Sequence, residues 1–401
     1  MSTPSLQQEN SPLYRYWVLV GMVSIAGFSQ GMLLPVLSVM LEGTGISSSA
    51  NGFNAAALYI GIILISPFIE APVRKHGYKP VIITGLVIVF ISLMLFPVWQ
   101  TFWFWFILRI IVGIADNLIH FSTQVWISTT SPRAVRGRQL AIYGLAFGLG
   151  FGIGPMMTRL LTFSEYLPFI IASTVSLVAL LFMIRLRNEY PASDFETASK
   201  LGTLIRYRKV LSMAWFALLP GFAYGYMEAS LHGNYPVYAM RMGMDLSFVT
   251  LFLLPGFVFG SLITQLPLGM LSDRLGRSKV LMGIMGIGSV LFYSMTFVEE
   301  SQWLLFTLFA ASGMLLGSSF SLGIAYLADL VPANLLPTGN VMTAVLFAVG
   351  SMTGPVVGGF LIEIIGEGAV YYSISLMLLT MFTAGIVFHM RMPAETKQAA
   401  S

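Results

Sequence analysis

Apolar residues run along this chain in twelve blocks of about twenty, separated by short polar or Gly- and Pro-containing breaks. A block of that length matches what an α-helix needs to cross the hydrocarbon core of a bilayer. The pattern predicts helices over 15–40, 50–71, 79–98, 102–127, 138–161 and 166–186, then over 211–238, 246–271, 280–298, 302–327, 338–363 and 369–390. The fold class expected is therefore an all-α integral membrane protein, since a spanning segment must satisfy its backbone groups internally. One sizeable polar stretch interrupts the pattern, beginning at Asn188 and carrying Glu189, Pro191, Asp194 and Glu196. It predicts a six-helix first half over 1–187, a central linker over 188–209 and a six-helix second half over 210–401. The first twelve residues lack a basic leader region and the block after them is too long for a cleaved signal, so the first helix is expected to be retained.

The two halves repeat each other. GFGIGP at 150–155 returns as GSMTGP at 350–355, Gly113 returns as Gly313, Pro132 as Pro332, and the loop around Gly77 as the loop around Gly276. A doubled array of spanning helices predicts two pseudo-symmetric halves.

Composition agrees with lipid as the solvent: 56% of residues are apolar and 9% charged, with a mean hydropathy of +0.82. Twelve helices use most of 401 residues and leave no room for a soluble catalytic domain. The absence of cysteine excludes disulfides, thiol catalysis and cysteine-ligated metal. Eighteen of the 21 Lys and Arg fall on one side of the predicted topology, including Arg74, Lys75, Arg133, Arg136, Arg187, Lys200, Arg206, Arg274 and Lys397. Positive charge stays in the cytoplasm, so both termini are expected there, in a multi-pass protein of the cell membrane. The net charge of +4 reflects this loop bias, and no nucleic-acid partner is expected. The expected partners are the bilayer and a small-molecule substrate, with the chain acting as a monomer.

Three motifs carry a resemblance. GMLSDRLGRSK at 269–279 places Gly269, Asp273, Arg274, Gly276 and Arg277 in a short basic turn between two helices. Its first-half copy, EAPVRKHGYKP at 70–80, keeps Gly77 but has Glu70 for the first glycine and Arg74 for the aspartate. Arg109 with Gly113, and Gly150, Gly154 and Pro155 with their repeats Gly350, Gly354 and Pro355, complete the set. Together these are similar to signatures of the major facilitator superfamily, nearest to its drug:proton antiporter-like branch and its YcaD/YfkF-like carriers. The resemblance implies that the halves rock about a midplane site, that the loop of Asp273 latches the cytoplasmic side, and that the GP motif marks the antiporter branch. Read from the residues alone, the loop is also compatible with plain charge bias and the glycines with close helix packing. Glu70 is expected either to replace the missing aspartate or to pair with Arg74 at i, i+4.

Candidate chemistry lies inside the spans, where a charge costs about 3 kcal/mol on insertion scales. Arg109, Gly113, Asp116, His120 and Gln124 fall within about 80° of one helix face and form a polar stripe down the fourth span. It reads as a proton relay, or else as a buried Arg109 and Asp116 ion pair that fixes helices. The second half has Phe309 and Leu316 at the matching positions, so the architecture does not itself demand these charges. Glu228, with Tyr224 and His232 one turn to either side, is expected in the outer half of the seventh span, among Pro220, Gly221, Gly225, Gly233 and Pro236, which predict a broken, moving helix. His232 reads as a membrane-interface residue, and Gln30 in the first span as a cavity or packing amide. No spacing of His, Asp and Glu predicts a metal site.

These readings converge on a secondary active transporter, not an enzyme, exporting an amphipathic or cationic small organic molecule by alternating access. Protons are the expected coupling ion and no cofactor is expected. Alternatives are proton-coupled uptake of a small polar metabolite, a lipid or lipid-precursor flippase, and a non-transporting sensor.

Overall fold

A computed structural model describes residues 11–132, 135–191, 200–332 and 334–391. Arg133, Lys397 and linker residues 192–199, which entered the charge and domain readings, lie outside them. Among the described residues every regular element is helical, and twelve helices are long and apolar enough to cross a membrane.

The first six spans are α1 (Pro12–Gly43), α2 (Ser48–Ile65), α4 (Tyr78–Leu95), α5 (Phe102–Thr130), α6 (Arg136–Ile153) and α7 (Leu167–Ile184). A short α3 (Glu70–His76) lies between α2 and α4. Gly77 ends α3 at φ +84°, a left-handed value that suits glycine. At Gly154 and Pro155, α6 tightens into a 3₁₀ helix, Gly154–Thr162, with Pro155 in its first turn.

The last six spans begin with α8 (Lys200–Arg241), a 42-residue helix that starts eleven residues earlier than the apolar pattern suggests. Its one departure from helical geometry is at Ala214 (φ −142°, ψ 29°). The helix therefore continues through Pro220 and Pro236, and the break expected in that stretch is absent. Then follow α9 (Leu246–Phe248), a π turn at Val249–Leu253 and α10 (Leu254–Leu275), which together make one span, and α11 (Arg277–Met295). The tenth span is interrupted just after Leu316, between α12 (Gln302–Leu316) and α13 (Ser319–Leu330), where its first-half counterpart α5 is continuous. The final pair is α14 (Leu336–Ile364) and α15 (Ala369–Arg391).

The chain forms two compact units, Met1–Met40 with Ala57–Phe195, and Leu41–Ala56 with Glu196–Ser401. Within the second, the start of α2 lies on α14: Ser49 donates to the Glu363 carboxylate, and a Cβ on Gly359 would strike the Ser48 carbonyl. Arg241 and Glu42 form an ion pair of 2.7 Å in the same unit.

Candidate functional site

The polar stripe of α5 is the most charged feature buried in the first unit. Thr101 is extended and Phe102 starts an uninterrupted helix, so the 100° rotation per residue sets the stripe in line as the sequence predicts. Arg109 is 1% exposed. Its Nη2 donates to the Leu33 carbonyl of α1 over 3.2 Å and its charge faces Tyr59 of α2, while Nε and Nη1 make no hydrogen bond. Asp116 is fully buried, and neither carboxylate oxygen makes a hydrogen bond of ordinary geometry. Gln30 of α1 is the polar side chain acting on it. The ion pair between Arg109 and Asp116 does not form.

Farther along α5 the stripe opens. His120 is partly buried, its Nδ1 3.1 Å from the Tyr143 hydroxyl of α6 and its ring edge-on to Phe147 at 4.8 Å. Tyr143 also meets Thr123 Oγ1 at 2.9 Å. Gln124, one turn beyond, is exposed. Gly113 serves packing, since a Cβ there would collide with the Leu58 carbonyl of α2.

The second unit holds the other intramembrane carboxylate. Glu228 is 7% exposed on α8 and hydrogen-bonds the Tyr224 side chain one turn before it. His232 is fully buried, its Nδ1 2.9 Å from the Glu228 carbonyl. The apolar span on α8 ends at Gly233, so His232 stands at the end of that span while its side chain is enclosed by protein, and the helix runs on to Arg241. Gly221 and Gly225, expected as hinges, fit against Thr343 and the Phe347 carbonyl of α14.

The two basic loops are built differently. In the second unit Arg277 donates to Asp273 at 2.9 Å, to Asp329 of α13 at 2.7 Å and to the Ala325 carbonyl at 2.7 Å. Gly276 allows the turn with φ +92°; Gly269 has open space at its Cβ position. In the first unit Glu70 and Arg74 are exposed. Tyr78 replaces Arg277, stacks on Trp126 at 5.3 Å and meets Thr129, the counterpart of Asp329, at 3.3 Å. The GP motif serves close packing in both units. Cβ atoms on Gly150 and Gly154 would strike Ser24 and Gly31 of α1; on Gly350 and Gly354 they would strike Phe222 and Tyr226 of α8. Pro155 and Pro355 occupy the same register, but α14 stays α-helical past Pro355.

Sequence reasoning missed Tyr143, Tyr59, Asp329 and Glu189. Tyr143 and Tyr59 lie in apolar runs without a polar neighbour to flag them, whereas Asp329 was detectable as a carboxylate at the end of the duplicated fourth span. Among the described residues no group of three or more His, Asp and Glu is arranged to hold a metal. The arrangement offers an unpaired buried carboxylate and a chain of polar groups leading from it.

The Major Facilitator Superfamily model matches residues 19–262 and 251–401. An uncharacterised MFS-type transporter, YfkF of Bacillus subtilis, is 43% identical over 97% of this chain and 99% of its own length. Multidrug resistance protein 1 of the same organism is 24% identical over 86% of this chain and 89% of its own. Among solved structures, the nucleoside transporter NupG superposes with a TM-score of 0.76 at 13% identity, covering 94% of this chain and 98% of that one.

Proposed function

The chain belongs to the major facilitator superfamily and is a multi-pass membrane transporter, not an enzyme, and we propose that it exports an amphipathic or cationic small organic molecule in exchange for protons. Asp116 carries this reading. An ionisable side chain in a span is rarely retained without use. Here no cation offsets it, and Leu316 stands at the matching place in the second half, so the fold does not require it. A proton and a cationic substrate are natural competitors for such a carboxylate. Either one neutralises the ionised form of this carboxyl, so the two exclude each other, and exchange between them across two conformations couples their gradients.

His120, bonded to Tyr143, and the exposed Gln124 give the proton a polar route along α5. Glu228 with Tyr224 is a second exchange group in the other half. The relative named for multidrug resistance supports export of organic compounds. The Lys and Arg bias of the loops supports cytoplasmic termini in the cell membrane. The test is proton flux in proteoliposomes, followed by an internal pH dye while lipophilic cations, neutral amphiphiles and organic anions are added in turn. Cation-dependent proton movement supports the proposal; silence throughout the panel from folded protein refutes it.

Uptake of a small polar metabolite is the second reading, favoured by Arg109. Its Nε and Nη1 groups are buried and unpartnered and could receive an anionic group. Proton movement on addition of anions alone would select it.

A further inference from the structure

Position 74 breaks the first-half loop motif by placing an arginine where the second half has Asp273. A carboxylate from elsewhere in the chain lies beside that loop and bonds the helix ends flanking it. Glu189, just after the sixth span, takes the Arg15 guanidinium of α1 on one oxygen and the Trp126 indole N–H of α5 on the other, the latter at 2.8 Å. Its backbone carbonyl accepts from the Tyr78 amide at 3.0 Å. Asn188 beside it accepts from the Lys79 amide at 3.1 Å and donates to the His76 carbonyl at 2.8 Å. These bonds surround Gly77, where a Cβ would come within 2.7 Å of the Glu189 carbonyl. The loop thus closes on Asn188 and Glu189 and on Trp126, the ring that also stacks on Tyr78. The second-half loop is instead held by Arg277 between Asp273 and Asp329.

We propose that Glu189 is a positioning residue that replaces the carboxylate missing from position 74, and that with Asn188 it binds the first-half loop to the ends of α1 and α5, so that the loop and the start of the linker move as one piece. Two hydrogen bonds to a carboxylate, one of them from a guanidinium, are the stronger kind, and the remainder fix the turn's backbone. This inference does not depend on which substrate is carried.

The chain has no cysteine, so single-cysteine labelling has no background. Val73→Cys and Ser272→Cys occupy matched, buried positions of the two loops, and a maleimide reaches either one only when its loop opens. On the Val73→Cys protein, Glu189→Gln should raise the labelling rate about tenfold, Arg15→Gln should do likewise, and the two together should add little. Glu189→Asp, which keeps the charge, should stay within about threefold of the parent, and the rate at Ser272→Cys should change less than twofold in every background. An unchanged rate at position 73 in Glu189→Gln would overturn the proposal. So would equal rises at 73 and 272, which would report global loosening, or a Glu189→Asp rate as high as that of Glu189→Gln, which would mean that the charge holds nothing.

Discussion

Arg109 and Asp116 lie two turns apart on one face of α5, both buried, and make no ion pair. The guanidinium turns to the Leu33 carbonyl and Tyr59, and the carboxylate lies beside Gln30, so each charge is offset separately and incompletely. Breaking a buried ion pair by removing one partner costs about 3–5 kcal/mol. Asp116→Asn breaks none here and removes an unpaired buried carboxylate, so it should leave thermal stability in detergent unchanged or raised. A fall in Tm of the size expected for a broken pair would show that the two residues depend on each other.

Beside the stripe, α2 and α5 approach backbone to backbone. A Cβ on Gly113 would strike the Leu58 carbonyl, and one on Gly61 would strike the Ile110 carbonyl, so each helix seats the other's glycine. Gly113→Ala should destabilise the protein by about 1–3 kcal/mol through overpacking. Gly144, on α6, has open space where its Cβ would stand, and Gly144→Ala should cost nothing. Thermal unfolding of the two variants side by side checks the contrast.

Glu299, in the turn between α11 and α12, gives a pH dependence. Burial raises its carboxyl above the ordinary range, the hydrogen bond from Tyr238 opposes that, and the nearby Glu367 carboxylate adds to the rise. A carboxyl that holds its proton more tightly folded than unfolded loses stability as pH climbs from the unfolded value through the folded one. Glu299→Gln keeps an acceptor for Tyr238 and removes the ionisation. The variant should therefore gain Tm relative to the parent at neutral pH, with the gain shrinking below pH 5. A gain that grows towards acid would have the wrong sign for this environment.

The twelve spans and the duplication were legible because lipid imposes one length and one polarity on every crossing segment, and a repeated GP motif survives inside apolar runs. The stripe was legible too, since Arg109, Asp116 and His120 are rare residue types in such runs and their spacing suffices to align them. Partners across the fold were not. Nothing in the sequence directs Arg109 to Leu33 and Tyr59 and away from Asp116. Glu189 looks like linker polarity, because Arg15 lies 174 residues before it. The proline and glycine of α8 read as a break, but the prolines are accommodated and the helix gives way at Ala214, and the enclosure of His232 by protein was not legible. The second-half latch was half visible: Asp273 and Arg277 lie in the motif, while Asp329 comes 52 residues after Arg277.

The central claim is that the Asp116 carboxylate exchanges protons for substrate, and its most direct test compares the parent with Asp116→Asn in proteoliposomes, reading internal pH after addition of a lipophilic cation such as tetraphenylphosphonium. The account predicts cation-dependent proton movement in the parent and none in the variant, with both proteins equally folded and reconstituted. Proton movement of parental size in Asp116→Asn would contradict it.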